Sequence, residues 1–165
     1  MENNPTTWDE GAFNAVREIA SKVQEYKSPS MDVLDIVSDY ISDWIAEGNT
    51  LGTDMVYAML TQAGTEGILQ INEYSTFSII DMAKTLVSKQ HDYGHDNINK
   101  FGVVGVAIRL CDKIARAKNL LARGTEANNE SLHDTWCDIV GYAAISIMLR
   151  NDSFQLELAK DMQDE

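Results

Sequence analysis

Apolar residues recur three and four positions apart through most of the chain, and strictly alternating runs are nearly absent, so the pattern predicts helices and no sheet. The expected fold class is all-α, a helical bundle of about five to six helices. A first helix starts at Thr7, where TWDE sets Glu10 at the spacing of a capping box, and continues through Phe13, Val16, Ile19 and Val23 to end before Ser28-Pro29-Ser30. A second has Met31, Leu34, Ile36, Val37, Tyr40, Ile41 and Trp44 as its apolar side and stops at Glu47-Gly48-Asn49. Its other side carries Asp32, Asp35, Asp39 and Asp43, a ridge that reads as a solvated acidic face or, alternatively, as metal ligands. A third, shorter helix is expected from Thr53 to Leu60, because Ala63-Gly64-Thr65-Glu66-Gly67 breaks the pattern.

In the second half the helical pattern returns from Ser75 to about Gln90 through Phe77, Ile80, Met82, Ala83, Leu86 and Val87. The cluster Asp92-Tyr93-Gly94-His95-Asp96-Asn97 has the chemistry of a turn. A fifth helix is expected from about Asn99 to Arg123, closed by Gly124. At about 100° per residue Arg109, Asp112, Lys113 and Arg116 share one of its faces, extended by Asn119, while Ala107, Leu110, Cys111, Ile114 and Ala115 pack on the other. Asn128 or Asn129 caps a final helix that runs to about Leu149. From Trp136 onward this helix is apolar around nearly its whole circumference, the mark of a helix enclosed by others. Asp134 and Asp138 nevertheless lie on it, on the face that also bears Gly141 and Ile145. The tail after Ser153 reads as a frayed helix.

At 165 residues the chain suits one domain with one core, its first 74 residues without a functional reading and residues 75–150 carrying the chemistry. Neither a membrane span nor a signal peptide is indicated, so the expectation is a cytoplasmic protein. Cys111 and Cys137 belong to no CxxC and read as small hydrophobes. A net charge of −13 argues against direct nucleic-acid binding, since that affinity comes from basic residues on phosphates. No GxxxxGK[ST] is present, which removes a P-loop, and no nucleophile elbow can be found.

Ionised carboxylates in an apolar helix need positive charge opposite them. One candidate is Mg²⁺, or Mn²⁺ in its place, held by Asp112, Asp134 and Asp138, with Lys89, Arg109, Lys113 and Arg116 gripping a polyphosphate. The rival is a structural network in which Arg109 and Arg116 pair with Asp134 and Asp138. The pairs His91-Asp92, His95-Asp96 and His133-Asp134 invite comparison with HD-type metal phosphohydrolases, but two of the three lie in one turn rather than on separate helices. Tyr93 stacks on a base or packs, and His95 lies near the substrate or in solvent.

The series Lys89, Asp92-Tyr93-Gly94, Asn97, Gly105, Arg109, Asp112-Lys113, Arg116, Asn119-Leu120, Glu126, Asp134-Thr135, Asp138 and Gly141-Tyr142, spread from about Ala83 to Leu149, resembles the phage family called nucleotide modification associated domain 1. More distantly it is similar to the all-α nucleotide pyrophosphatases of the MazG and dimeric dUTPase type, although their paired-glutamate motifs are missing. The resemblance implies a Mg²⁺-dependent phage enzyme of the host cytoplasm that hydrolyses a (deoxy)nucleoside triphosphate. Asp112, Asp134 and Asp138 would hold metal, Lys89, Arg109, Lys113 and Arg116 the phosphates, and Tyr93, Asn97 and His95 the base or sugar. A homodimer or higher homo-oligomer is expected, because one short bundle offers shallow pockets. The alternatives are a non-catalytic protein that sequesters a nucleotide or nucleotide-like signal, and an acidic inhibitor of a host protein.

Overall fold

The computed structural model describes residues 4–25, 28–49, 51–124, 127 and 130–160. Among them the all-α expectation holds: seven α-helices are present and no strand. They are α1 (Trp8–Lys22), α2 (Met31–Ala46), α3 (Thr53–Asn72), α4 (Ile79–Tyr93), α5 (Asp96–Asn99), α6 (Gly102–Arg123) and α7 (Leu132–Arg150), with short 3₁₀ turns at Val23–Glu25 and Ser153–Gln155. The seventh helix is the single turn α5, inside what the sequence suggests is only a turn.

Helix α7 is the axis of the bundle. It packs on α3 and α6 most extensively and also on α1 and α4. Every residue from Ala143 to Met148 is buried, as a sequence apolar but for Ser146 predicts. The hydroxyl of Ser146 is satisfied within the helix by donating to the Ala143 carbonyl at 2.6 Å. Its start is set by Ser131, whose side chain accepts from the Asp134 N–H while Asp134 accepts from the Ser131 N–H. The cap is thus Ser131. Asn128 and Asn129, the expected caps, lie outside the described residues, as does Glu126.

The largest departure from the sequence pattern is α3, which runs for 20 residues instead of stopping near Leu60. Ala63 to Gly67 stay helical because the glycines let α3 press against α7. A Cβ on Gly64 would lie 2.5 Å from the Ala143 Cβ, and one on Gly67 would lie 3.0 Å from Val140 Cγ2. Small residues are required at a helix contact this close, and burial outweighs the weak helix propensity of glycine.

Other boundaries move by a few residues. Thr7 caps α1 by accepting from the Glu10 N–H, but the Glu10 carboxylate turns to the N–H and hydroxyl of Thr6 rather than completing the box with Thr7. Helix α4 begins later than Ser75, at a Ser78 cap, and extends through Tyr93 to Gly94, whose φ of 68° ends it. Asn99 belongs to α5, so α6 starts at Gly102 and closes at Gly124 in the left-handed region. Ala115 is exposed, and Ala117 occupies the inner face in its place. Phe13, Ile36 and Ile80, assigned to apolar faces by spacing, are also exposed.

Among the described residues the tail is not the frayed α-helix expected. After Ser153–Gln155 it continues as an extended strap over the start of α1, where the Trp8 N–H donates to the Glu157 carbonyl at 2.8 Å and the Ala159 N–H to Asp9 at 3.0 Å. Phe154 is fully buried beneath it, edge-on to Trp8 and 5.3 Å from the His95 ring. No helix among the described residues is long and apolar enough to cross a membrane.

Candidate functional site

The amphipathic pattern of α6 turns its basic residues toward α4 and toward the entry to α7, and a cleft of about 340 Å³ opens there. Lys89 and Tyr93 of α4, Asn97 of α5, Arg109 and Lys113 of α6, and Asp138 and Tyr142 of α7 line it, with Glu130 at its edge and Trp8, Met82 and Ile98 among its apolar wall.

Asp138 is the centre of its electrostatics. Its side chain is only 11% exposed, and Lys89 Nζ meets one carboxylate oxygen at 2.9 Å while Lys113 Nζ meets the other at 2.8 Å. Lys113 also reaches Glu130 at 3.2 Å. Burial pushes the Asp138 carboxyl upward, but the hydrogen bonds from Lys113 and Lys89 outweigh it and hold the group below the usual aspartate value. For the two lysines burial acts downward, and the bonds to Asp138 overcome it and raise both. All three groups are therefore charged at neutral pH. Burial also raises the Tyr142 phenol, which stays a neutral hydrogen-bonding group beside them.

Arg109 is half-buried on the same wall, and among the described residues its guanidinium makes no hydrogen bond or ion pair. Arg116, one turn on from Lys113, is spent on structure. It donates to the carbonyls of Glu130 and Ser131 and to the Thr135 hydroxyl, fastening the segment that enters α7. The cross-helix pairing is thus made by lysines to Asp138, and the arginines take neither of the partners the rival network gave them.

The three aspartates separate. Asp112 is exposed and lines no part of the cleft. Asp134 spends one oxygen on the Ser131 N–H and opens on a second cavity, of about 460 Å³, which Asp138 and Lys89 also border. No cluster of three or more His, Cys, Asp or Glu side chains suited to a metal ion occurs among the described residues. Of the three aspartates Asp134 and Asp138 border one cavity, which Asp81 and Glu130 also line, and two carboxylates are a set Mg²⁺ accepts when phosphate and water complete its shell.

Of the residues assigned to base or sugar, Tyr93 and Asn97 line the cleft, both exposed. His95 does not line it. Its Nε2 lies 2.8 Å from the Leu156 carbonyl, which can only accept, so Nε2 carries the proton and Nδ1 accepts from Gln90 Nε2 at 3.0 Å. Gln90 donates also to the Gly94 carbonyl at 2.9 Å, so His95 fixes the end of α4 and the strap together. Glu130 was missed by sequence reasoning, and Tyr142, named in the series that carries the resemblance, was given no role there. Tyr142 follows Asp138 by one helical turn and could have been found by that spacing, whereas Glu130 sits in a loop with no periodicity to place it.

What the fold and cleft define is an all-α bundle with a cation-lined pocket walled by α4, α5, α6 and α7. No family model matches the chain, nor does any curated protein or solved structure.

Proposed function

We propose that the cleft binds a nucleotide by its phosphates, and that the chain serves phage nucleotide metabolism in the host cytoplasm as a (deoxy)nucleoside triphosphate hydrolase of the kind the family resemblance implies. The observation that carries this is the gathering on one wall of one cleft of Lys89, Lys113 and the half-buried Arg109, which makes no ion pair among the described residues, in a chain whose net charge is −13. Cations concentrated against the sign of the whole molecule focus the local field on an anion, and Arg109 offers the planar fork suited to phosphate oxygens. Lys89 and Lys113, already charged, would swing part of their bonding from Asp138 to the ligand. Tyr93 and Asn97 extend the same wall and would contact the nucleotide beside its phosphates. Tyr93 is largely exposed, so a second copy of the chain would close that side, in keeping with a homodimer or higher homo-oligomer.

Asp134 and Asp138 are the residues that would hold Mg²⁺ or Mn²⁺ arriving with the nucleotide, while Asp112 is too exposed to join them from the cleft. Bound there, the ion would polarise phosphoryl oxygens and supply an activated water. A second reading, sequestration without turnover, is favoured by the two lysines already neutralising Asp138.

A panel of ribo- and deoxyribonucleoside triphosphates, incubated with Mg²⁺ or Mn²⁺ and resolved by chromatography, tests both. Hydrolysis abolished in Asp134→Asn and weakened binding in Arg109→Ala support the enzyme. Tight binding with no product supports sequestration, and absence of binding sinks the proposal.

A further inference from the structure

The second cavity is larger than the cleft and shares with it a wall made of Met82, Lys89, Glu130 and Asp138. Its lining is different in kind. Phe77, Ile71, Met82 and Cys137 give it apolar surface, while Asp81 and Asp134 place carboxylates on its walls. Asp81 makes no side-chain hydrogen bond or ion pair among the described residues, and Asp134 keeps one oxygen free after its bond to the Ser131 N–H. Acids outnumber the basic side chains here, Asp81, Glu130, Asp134 and Asp138 against Lys89 and His133, so phosphates, with any ion on Asp134 and Asp138, belong at the shared wall, and the deeper space calls for a part that is flat, partly apolar and rich in N–H donors.

We propose that this second cavity is the base subsite of the nucleotide whose phosphates occupy the cleft, and that it selects bases presenting adjacent N–H donors, guanine before uracil or thymine. The inference rests on the phosphate reading given above. Lys89 stands on both sides of the shared wall, so a phosphate held by it leaves the sugar and base directed over the Lys89–Asp138 pair. The flat ring then meets Phe77 and Met82. An ionised carboxylate only accepts hydrogen bonds, and guanine offers its ring N–H and amino group side by side to both oxygens of Asp81. Uracil and thymine offer one N–H between two carbonyls, which a carboxylate repels. Tyr93 and Asn97 would then contact the phosphate end rather than the base.

Cys137 lines this cavity, while Cys111 on α6 lines neither space and serves as an internal reference. The test is iodoacetamide alkylation of both thiols, read peptide by peptide by mass spectrometry, together with calorimetric titration of tripolyphosphate, GTP and UTP. Expected are binding of tripolyphosphate without change at Cys137, and slowing of Cys137 alone by GTP. GTP should bind about tenfold more tightly than UTP, and Asp81→Asn should remove that margin and leave tripolyphosphate unaffected. Thr85→Trp, which fills the cavity from an exposed position of α4, should reduce GTP to the affinity of tripolyphosphate. If GTP binds while Cys137 reacts at its free rate, the base lies elsewhere and the inference is overturned with the phosphate reading intact. Equal affinity for GTP and UTP overturns the donor selection. If neither tripolyphosphate nor nucleotide binds, the phosphate reading itself fails and takes the subsite with it.

Discussion

At the scale of single residues the chain carries two acids whose environments push them in opposite directions. Asp138 sits between Lys89 and Lys113 and is held below the ordinary value of 3.8, so its contribution to stability is present above that pH and is lost as pH falls through the lower folded value. Asp138→Asn leaves two ammonium groups facing each other. With the Lys89 side chain 50% exposed, solvent screens part of the loss, and a cost of about 1–2 kcal/mol is expected in urea denaturation at pH 7, vanishing below the folded value. Equal stability of the two proteins at pH 7 would mean that the triad contributes nothing. Glu66 is the opposite case. It is 3% exposed, accepting from the Ser30 N–H at 2.6 Å and from Gln70 at 3.1 Å, and burial raises its carboxyl above 4.5 in spite of those bonds. Its contribution is therefore present below 4.5 and lost as pH rises through the raised value. Glu66→Gln retains an acceptor for Ser30 and removes the buried charge, so at pH 7 it should match or exceed the parent, by on the order of 1 kcal/mol, with no gain at pH 4. A clear loss at pH 7 would show that the carboxylate is needed as an anion. The sequence made Asp138 legible, because an acid in an apolar helix demands a cation. Glu66 was hidden, since its five-residue neighbourhood looked like a loop.

At the scale of elements, what the sequence showed and what it concealed divide by whether the deciding partner was local. Caps at Thr7 and the stop at Gly124 depend on neighbours a few residues away, and both are where the pattern puts them. Gly64 and Gly67 carry the same letters as a turn, and only Ala143 and Val140, some eighty residues on, make them a helix contact. The difference is measurable. Gly64→Ala gains about 1 kcal/mol of helix propensity but sets its new methyl 2.5 Å from Ala143 Cβ, with both atoms on packed backbone, so a net loss of about 2 kcal/mol is expected from thermal denaturation. Gly64→Ala combined with Ala143→Gly should recover most of it, a coupling that two independent sites would not show. Had these glycines ended α3, Gly64→Ala would be neutral or stabilising and the pair additive.

At the scale of the molecule the strap decides how the cleft is closed from behind. It was unreadable as such, because Phe154, Leu156 and Leu158 alternate with polar residues over too short a run to show a helical face, and its partners lie far away in the chain. Phe154 fills the space between Trp8 and His95, the Asn99 and Gln155 side chains bond reciprocally at 2.8 and 3.2 Å, and the Leu156 carbonyl accepts a hydrogen bond from the His95 Nε2–H. Trp8, Gln90 and Ile98, all on the wall of the cleft, thus stand beside a short segment whose one large fully buried side chain is Phe154. A segment so attached opens at lower free energy than the helices around α7. Phe154→Ala removes its anchor at a cost of about 3 kcal/mol. The backbone bonds of the strap should open with it, so amide exchange at Trp8 and Ala159, each donor to a strap contact, becomes rapid while circular dichroism keeps its helical signal. Tripolyphosphate affinity should fall as well, because Gln90 and the end of α4 lose the His95 bond that positions them beside Lys89. Collapse of helicity in Phe154→Ala would instead make the strap part of the core, and unchanged exchange at Trp8 would show that it does not hold the start of α1.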